Sequence, residues 1–183
     1  ECTAYPSMRF RGSPDAITRV ARRLKQARRP VLIVGGGANH SQARREVQEL
    51  AERIQAPVVT TISGQGIMPD QHALALGVIG DNGYHPHAIR AVEEADALLY
   101  VGCKMGSVST VRWTLPSPKP GRTLLQVDIN PRIIGNNCPV DEAVVGDARL
   151  VLEDVLAELG PARRTDAEGW TEDLNRDRRH FWE

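Results

Sequence analysis

The sequence has few cysteines and no long apolar run. Its three cysteines, Cys2, Cys103 and Cys138, are odd in number and form no C-x-x-C pair, which argues against a disulfide scaffold or a zinc site. No stretch approaches the roughly 18 apolar residues that a membrane-spanning helix needs, and the first residues do not resemble a signal peptide. We therefore expect a cytoplasmic protein with reduced thiols, no bound metal and no membrane partner.

An excess of charge of either sign is also absent. The 183 residues include 23 Lys and Arg and 23 Asp and Glu, so the formal net charge is zero. Domains that bind nucleic acids usually carry clustered positive charge, which attracts phosphate groups. The composition therefore excludes a polyanion as the expected main partner, and its 41% of hydrophobic residues suffices for one core.

Short apolar segments alternate along the chain with segments of helical periodicity. The predicted strands occupy residues 31–34, 56–61, 74–80, 96–102, 122–129 and 142–147. Apolar residues of the predicted helices recur at helical spacing from Ile17 to Leu24, from Val47 to Ile54, from Ala88 to Ala95 and from Leu152 to Leu159. Ser13 is a candidate cap of the first helix, the second begins near Ser41, and Asp147 is a candidate cap of the last.

This alternation predicts an α/β fold with a doubly wound, six-stranded and mostly parallel sheet, covered by helices on both faces. Such a sheet is Rossmann-like, of the kind found in DHS-like nucleotide-binding domains. We assign residues 13–160 to this domain. Residues 1–12 are predicted to be a linker, and residues 161–183 a charged linker or docking arm. Its tryptophans, Trp170 and Trp182, are expected to contact neighbouring domains or subunits.

Three consecutive glycines, Gly35 to Gly37, follow the first predicted strand. The nicotinamide-binding fingerprint requires G-x-G-x-x-G and an acidic residue about 20 positions later. Here His40 occupies the third glycine position, and the second strand ends in Thr60 and Thr61. No G-K-[ST] sequence follows either, so the loop is not a Walker loop. Two interpretations remain: the glycines let backbone amides approach a ligand, or they only make a tight turn.

Five further strand ends carry small or polar residues, in segments 60–66, 77–83, 101–107, 127–131 and 145–148. The carboxyl ends of parallel strands meet at one edge of a sheet, where ligands of doubly wound domains bind. The sequence therefore predicts one crevice lined by these loops.

The segments RPVLIVGGGA (29–38), LAERIQAPVVTTISGQGIMPDQHALALGVIG (50–80), ADALLYVGCKM (95–105), QVDINP (126–131) and VGDA (145–148) carry a resemblance. In this order they resemble the central domain of thiamine-diphosphate-dependent enzymes of the acetohydroxyacid synthase, pyruvate oxidase and benzoylformate decarboxylase group. The resemblance covers about residues 13–159. It implies that flanking pyrimidine-binding and diphosphate-binding domains of the parent chain hold thiamine diphosphate and Mg, so we expect neither a catalytic residue nor a metal ligand here.

The resemblance further implies a parent carboligase, decarboxylase or oxidase acting on 2-keto acids, most like acetolactate synthase and homo-oligomeric. The central domain holds FAD in synthases and oxidases, an ADP moiety in some CoA-using decarboxylases, and nothing in several decarboxylases. The family's nucleotide contacts would fall on these residues: Gly36, Gly37, Thr61, Ile62, Gly80, Asp81, Gly102, Lys104, Asp128, Ile129 and Asp147.

Two departures from the family pattern bear on FAD. Lys104 stands where flavin-binding members have Arg, and Asp81 brings a carboxylate towards an anionic ligand. FAD, a smaller ADP-type nucleotide and an empty crevice therefore stay open. A purely structural module and an independent nucleotide-binding redox or deacylase enzyme are the alternative functions. Outside the crevice, His85 and His87 are interpreted as capping or solvated loop residues, and Cys103 as a small buried thiol.

Overall fold

Six strands form a single sheet in the computed structural model, which describes residues 8–83, 85–166 and 168–183. The strands are β1 (Pro30–Val34), β2 (Val58–Thr60), β3 (Ala75–Val78), β4 (Ala97–Val101), β5 (Thr123–Asp128) and β6 (Glu142–Val145). Their order is β3-β2-β1-β4-β5-β6, and every neighbouring pair is parallel. The predicted doubly wound α/β fold is confirmed.

The two central strands, β1 and β4, are buried along their whole length. Leu32 of β1 is in register with Leu99 of β4 on one side and with Val58 of β2 on the other. A strand between two parallel neighbours and beneath helices on both faces has no solvated side, so each of its positions carries an apolar residue.

Helices cover both faces of the sheet. They are α1 (Pro14–Gln26), α2 (Gly36–Ser41), α3 (Arg44–Ile54), α4 (Pro86–Glu94), α5 (Ala148–Leu159) and α6 (Glu168–Trp182). On one face, α1, α3 and α5 bury apolar side chains such as Leu24, Leu50 and Leu152. On the other face, α4 and α6 pack over Leu98 and Tyr100. None of the described helices is long and apolar enough to cross a membrane; a cytoplasmic location stays a prediction.

The helical region after β1 differs from the sequence prediction. A single helix from about Ser41 was expected, but the first helical turn already begins at Gly36 and a break follows at Gln42. Gln42 adopts the left-handed conformation, with φ of 59°, and its backbone N–H donates to the carbonyl groups of Ala38 and Asn39. This cap ends α2, and α3 starts anew at Arg44.

The described parts of both terminal segments, residues 8–12 and the helix near the C-terminus, pack on the domain itself. In the segment predicted to be an N-terminal linker, Arg9 donates to the carbonyl of Ser41 at 2.8 Å, and the carbonyl of Phe10 accepts from the backbone N–H of Asp147 at 2.9 Å. The C-terminal segment contains α6, whose Trp170 donates from Nε1 to Glu94 at 2.7 Å. Trp170 therefore packs on α4 of its own domain. Its contact with a neighbouring domain or subunit and the domain boundaries stay predictions.

Candidate functional site

A cleft of about 680 Å³ opens where the strand order reverses, between the carboxyl ends of β1 and β4. The chain leaves these adjacent strands in opposite directions, so the following loops separate and leave space between them. Volumes of roughly 300–1,000 Å³ are typical of small-molecule sites. The position of the cleft matches the crevice that the sequence predicts.

Eight of the eleven predicted binding residues line this cleft: Gly36, Gly37, Thr61, Ile62, Gly102, Lys104, Asp128 and Ile129. Sequence reasoning did not select several other lining residues: Gly35, His40, Ser63, Ile79, Cys103, Gly106, Ser107, Val108, Ser109, Asn130 and Ile133. Most of these lie within the strand-end segments already noted. Their place beside a strand end was the available indication, but the sequence did not show which side chains of each loop face inward.

The remaining three predicted residues, Gly80, Asp81 and Asp147, do not line the cleft. Gly80 has φ of 100°, and a Cβ there would lie 2.3 Å from the carbonyl oxygen of Val108. The backbone N–H of Asp81 donates to that same oxygen at 2.9 Å. These two residues therefore hold the loop after β3 against the outside of the cleft wall.

Asp147 caps a helix, as the sequence suggested. Its Oδ1 accepts from the backbone N–H of Leu150 at 3.2 Å, within the first turn of α5. The same oxygen accepts from Oγ of Ser41 at 2.7 Å, which joins α2 to α5. The carboxylate is buried in these contacts. The predicted capping role is confirmed, and the side chain is already engaged within the protein.

The three consecutive glycines are explained by contacts within the chain. A Cβ on Gly35 would lie 2.4 Å from the carbonyl oxygen of Gly102. A Cβ on Gly37 would lie 2.8 Å from the Cα of Gly102. A Cβ on Gly36 would lie 2.9 Å from Cβ of Ser63. The backbone N–H of Gly37 also donates to the carbonyl of Gly102 at 3.0 Å. Close packing of the loops after β1, β2 and β4 thus requires glycine here, whether or not a ligand binds.

Among the described residues, the cleft has two charged groups, the carboxylate of Asp128 and the ammonium of Lys104. Asp128 ends β5 and is 8% exposed, and its Oδ1 accepts from the backbone N–H of Asn130 at 2.9 Å. Burial raises the pKa of Asp128, although the hydrogen bond from Asn130 and the charge of Lys104 act in the opposite direction. Lys104 is exposed. A buried carboxylate of this kind gains from any ligand that donates hydrogen bonds to it.

Exposed apolar side chains lie beside these charges. Ile62, Val108 and Ile129 line the cleft and are exposed. Three exposed apolar residues in one concave site offer a flat hydrophobic group a place to pack. Cys103 is buried, as expected, and burial raises the pKa of its thiol, so the nucleophilic thiolate form is disfavoured.

A buried amide on β5 ties two walls of the cleft together. Gln126 donates from Nε2 to the carbonyl of Cys103 at 3.2 Å, and its Oε1 accepts from the backbone N–H of Gly135 at 2.9 Å. Asn137 adds a second link by donating from Nδ2 to the carbonyl of Lys104 at 3.0 Å. Sequence reasoning missed Gln126, because one polar residue in an apolar strand carries no indication of its partners.

The sequence of the chain matches a known protein family. The family model of the thiamine pyrophosphate enzyme central domain matches residues 17–155. The chain belongs to this family. The resemblance seen in the sequence is confirmed, and the match extends from α1 to α5, across the whole sheet.

Acetolactate synthases are among the relatives of this thiamine pyrophosphate enzyme central domain. It is 39% identical over 163 residues to a probable acetolactate synthase large subunit of Methanocaldococcus jannaschii, covering 88% of this chain and 27% of that protein. It is 36% identical over 148 residues to an acetolactate synthase of Arthrospira platensis, with coverages of 80% and 25%. The acetolactate synthase isozyme 3 large subunit of Escherichia coli is 34% identical over 148 residues, with coverages of 81% and 25%. The chain thus spans about a quarter of the length of these relatives.

The family implies thiamine pyrophosphate in the parent enzymes, and the side chains of the cleft bear on whether this central domain could hold that cofactor. Among the residues described, no group of three or more His, Cys, Asp or Glu side chains is arranged to hold a metal ion. Among its described lining residues the cleft has a single carboxylate, that of Asp128, and no second acidic side chain that could share a metal ion with it. The cleft therefore does not fit a diphosphate bridged by a metal, and we assign no chemical step of that cofactor to it.

Proposed function

We propose that this chain is the spacer domain of an acetolactate synthase-like enzyme and that its cleft binds the ADP moiety of a nucleotide. FAD and smaller ADP-containing ligands share that moiety. The observation that carries the proposal is the convergence of eight predicted contact residues in one cleft at the reversal of the strand order. Ligands of doubly wound sheets bind at this position.

Each part of an ADP moiety would find a matching group. Ribose hydroxyls would donate to the carboxylate of Asp128, which lies in the cleft at the end of β5. The ammonium of Lys104 would balance phosphate charge. Ile62, Val108 and Ile129 would pack against the flat adenine ring. Lysine is a point charge, whereas an arginine would pair with phosphate through two parallel hydrogen bonds, so we expect weaker diphosphate binding than an arginine would give.

The activity of the parent enzyme is also part of this proposal. Because the relatives are named acetolactate synthases, we propose a parent that forms or cleaves a carbon–carbon bond next to the carbonyl of a 2-keto acid. Thiamine diphosphate, held with Mg by flanking domains, would supply a nucleophilic carbon and an electron sink. This domain would separate those two domains in a homo-oligomer and would contain no catalytic residue.

A spacer without any ligand is the second candidate. The observation in its favour is that internal packing already explains Gly35, Gly36 and Gly37. An independent redox or deacylase enzyme has less support, because the family match points to a multidomain parent.

Thermal unfolding separates these candidates. The 183-residue chain is heated with and without FAD, ADP, CoA, NAD and thiamine diphosphate. A ligand at 100 times its Kd adds about 2.7 kcal/mol to the free energy of unfolding, which raises the Tm of a chain of this size by roughly 5–11 °C. We expect FAD, ADP or CoA to raise the Tm. If none of them raises it, the spacer without a ligand is the function that the result supports.

Two variants and one control assign such a shift to the cleft. Asp128→Asn and Lys104→Ala should each reduce it, because they remove the two charged groups that would meet the ADP moiety. Glu158→Gln changes an exposed carboxylate near the end of α5, outside the cleft, and should leave it unchanged. Equal shifts in all three variants would locate the ligand elsewhere.

A further inference from the structure

A second cavity, of about 500 Å³, lies at the β3 edge of the sheet. We call it the edge cavity. The loops after β2 and β3, the start of α4 and the end of α6 form its walls, and Ile62 is the one described residue that it shares with the cleft. None of the nucleotide contacts proposed above, apart from Ile62, lines it.

A buried histidine in this cavity has no hydrogen-bond partner for its ring nitrogens among the described residues. His87 is 2% exposed, and the backbone of Leu76 lies near its ring. No group of the described chain, however, meets hydrogen-bond geometry with either ring nitrogen. The interpretation of His87 as a capping or solvated residue is therefore wrong. Because an unpaired buried polar group is costly, a native protein usually supplies a partner for it, either a protein group or a bound molecule.

Further hydrogen-bond donors lie around His87. Arg178 of α6 donates from Nη1 to the carbonyls of Asp70, His72 and Ala75, at 3.2, 2.9 and 2.5 Å. These bonds fix the guanidinium at the edge of the cavity, and its Nε and Nη2 groups make no hydrogen bond to the described residues. Arginine carries five N–H donors and no acceptor, so the guanidinium retains donors for a ligand.

His85 adds one more donor. Its Nδ1 accepts from the backbone N–H of Val78 at 3.2 Å, so the proton of a neutral ring lies on Nε2. The one carboxylate among the described lining residues belongs to Asp70, which is exposed. The charge of Asp70 offsets that of Arg178, so the edge cavity offers a ligand the N–H donors of Arg178, His85 and His87 and not an excess of positive charge.

Apolar and aromatic side chains form much of the remaining wall of the edge cavity, beside the polar Thr60, Gln65 and Asn82. Val58, Met68, Leu76 and Val78 line it, and Trp182 lies at its border. The ring centroids of His85 and Trp182 are 5.5 Å apart in an edge-to-face arrangement. Such walls accept a flat apolar body, since aromatic pairs favour this geometry.

We propose that the edge cavity binds a small organic carboxylate with a flat apolar body. Its carboxylate accepts hydrogen bonds from Arg178 and His87, and its body packs between the apolar wall and Trp182. The inference is independent of nucleotide binding, because the two sites share only Ile62 among described lining residues.

Benzoate and benzamide test this proposal. The two molecules have nearly the same shape, but only benzoate carries a charge. Titration calorimetry of the 183-residue chain at neutral pH should give a Kd for benzoate at least ten times lower than for benzamide, and saturating ADP should not change it. Equal affinities would show that the cavity does not recognise the carboxylate, and no binding of either would leave a cavity that holds water alone. Each result would overturn the proposal.

Variants locate the binding. His87→Phe keeps a ring in the buried position and removes both unpaired nitrogens, so the Tm should be unchanged or higher while benzoate affinity falls at least tenfold. His180→Phe is the matched control, because His180 is exposed on the same helix as Arg178 and does not line the cavity. Benzoate binding to His87→Phe with the affinity of the unmodified chain would also overturn the proposal.

Discussion

Replacing Gly35 by alanine would place a methyl group 2.4 Å from the carbonyl oxygen of Gly102 and 2.8 Å from Cα of Cys103. Gly35 has φ of −106° and ψ of −176°, an extended conformation that any residue can adopt. The cost of Gly35→Ala therefore comes from packing and not from backbone strain. Both contacts are with backbone atoms, which cannot rotate away as a side chain can.

The expected magnitude combines two opposing effects. Forcing an extra methyl into a packed region costs about 1–3 kcal/mol, and the contact with backbone favours the upper part of that range. Alanine has less conformational freedom than glycine in the unfolded chain, which stabilises the folded state by about 0.4–1 kcal/mol. We expect a net loss of about 2 kcal/mol in the free energy of unfolding, which lowers the Tm by about 4–8 °C.

Thermal unfolding without ligand measures this effect, with Gly106→Ala as the control. Gly106 also lines the cleft, but a Cβ there has no atom within 4 Å, so its variant should stay within about 0.5 kcal/mol of the unmodified chain. If Gly35→Ala kept the original Tm and lost only ligand affinity, the glycine would serve ligand approach, and the packing explanation would be refuted.

Three further predictions concern polar side chains. Gln126→Leu leaves the N–H of Gly135 and the carbonyl of Cys103 without their partner. Urea unfolding should therefore show that the free energy of unfolding falls by about 2–4 kcal/mol. A decrease below about 0.5 kcal/mol would contradict the link between the cleft walls. Asp147→Ala should lower the free energy of unfolding, measured by thermal unfolding, by about 0.5–2 kcal/mol. Ser13→Ala should lower it much less, because Ser13 makes no side-chain hydrogen bond that caps α1. Equal decreases in the two variants would count against the capping role of Asp147. Burial raises the pKa of Asp128 above its unfolded value, so its ionised form lowers stability above the folded-state pKa, and this cost disappears as the pH falls through that pKa. Asp128→Asn should therefore raise the Tm at pH 7 and lose this advantage in acid, and a Tm difference that is independent of pH would contradict the assignment.

Several features of this domain could be predicted from the sequence because they depend on local patterns. The β-branched run of β1 and the helical stripes of α1, α3 and α5 predict their own structures. The alternation of strands and helices then leaves few topologies, since crossovers between parallel strands are right-handed. Strand ends therefore indicated the edge of the sheet where the cleft would open. The position of Asp147 before a helical stripe also indicated its capping role.

Only the tertiary structure decided what each residue at that edge does. Asp128 and Asp147 both follow a strand, yet Asp128 lines the cleft and Asp147 is held by Ser41, which is 106 residues away in sequence. Trp170 packs on Glu94, 76 residues away, so the docking of α6 could not be read from its own sequence. Patterns of hydrophobicity encode which face of an element is buried, but the partners of a polar side chain depend on distant residues that folding brings within hydrogen-bond distance.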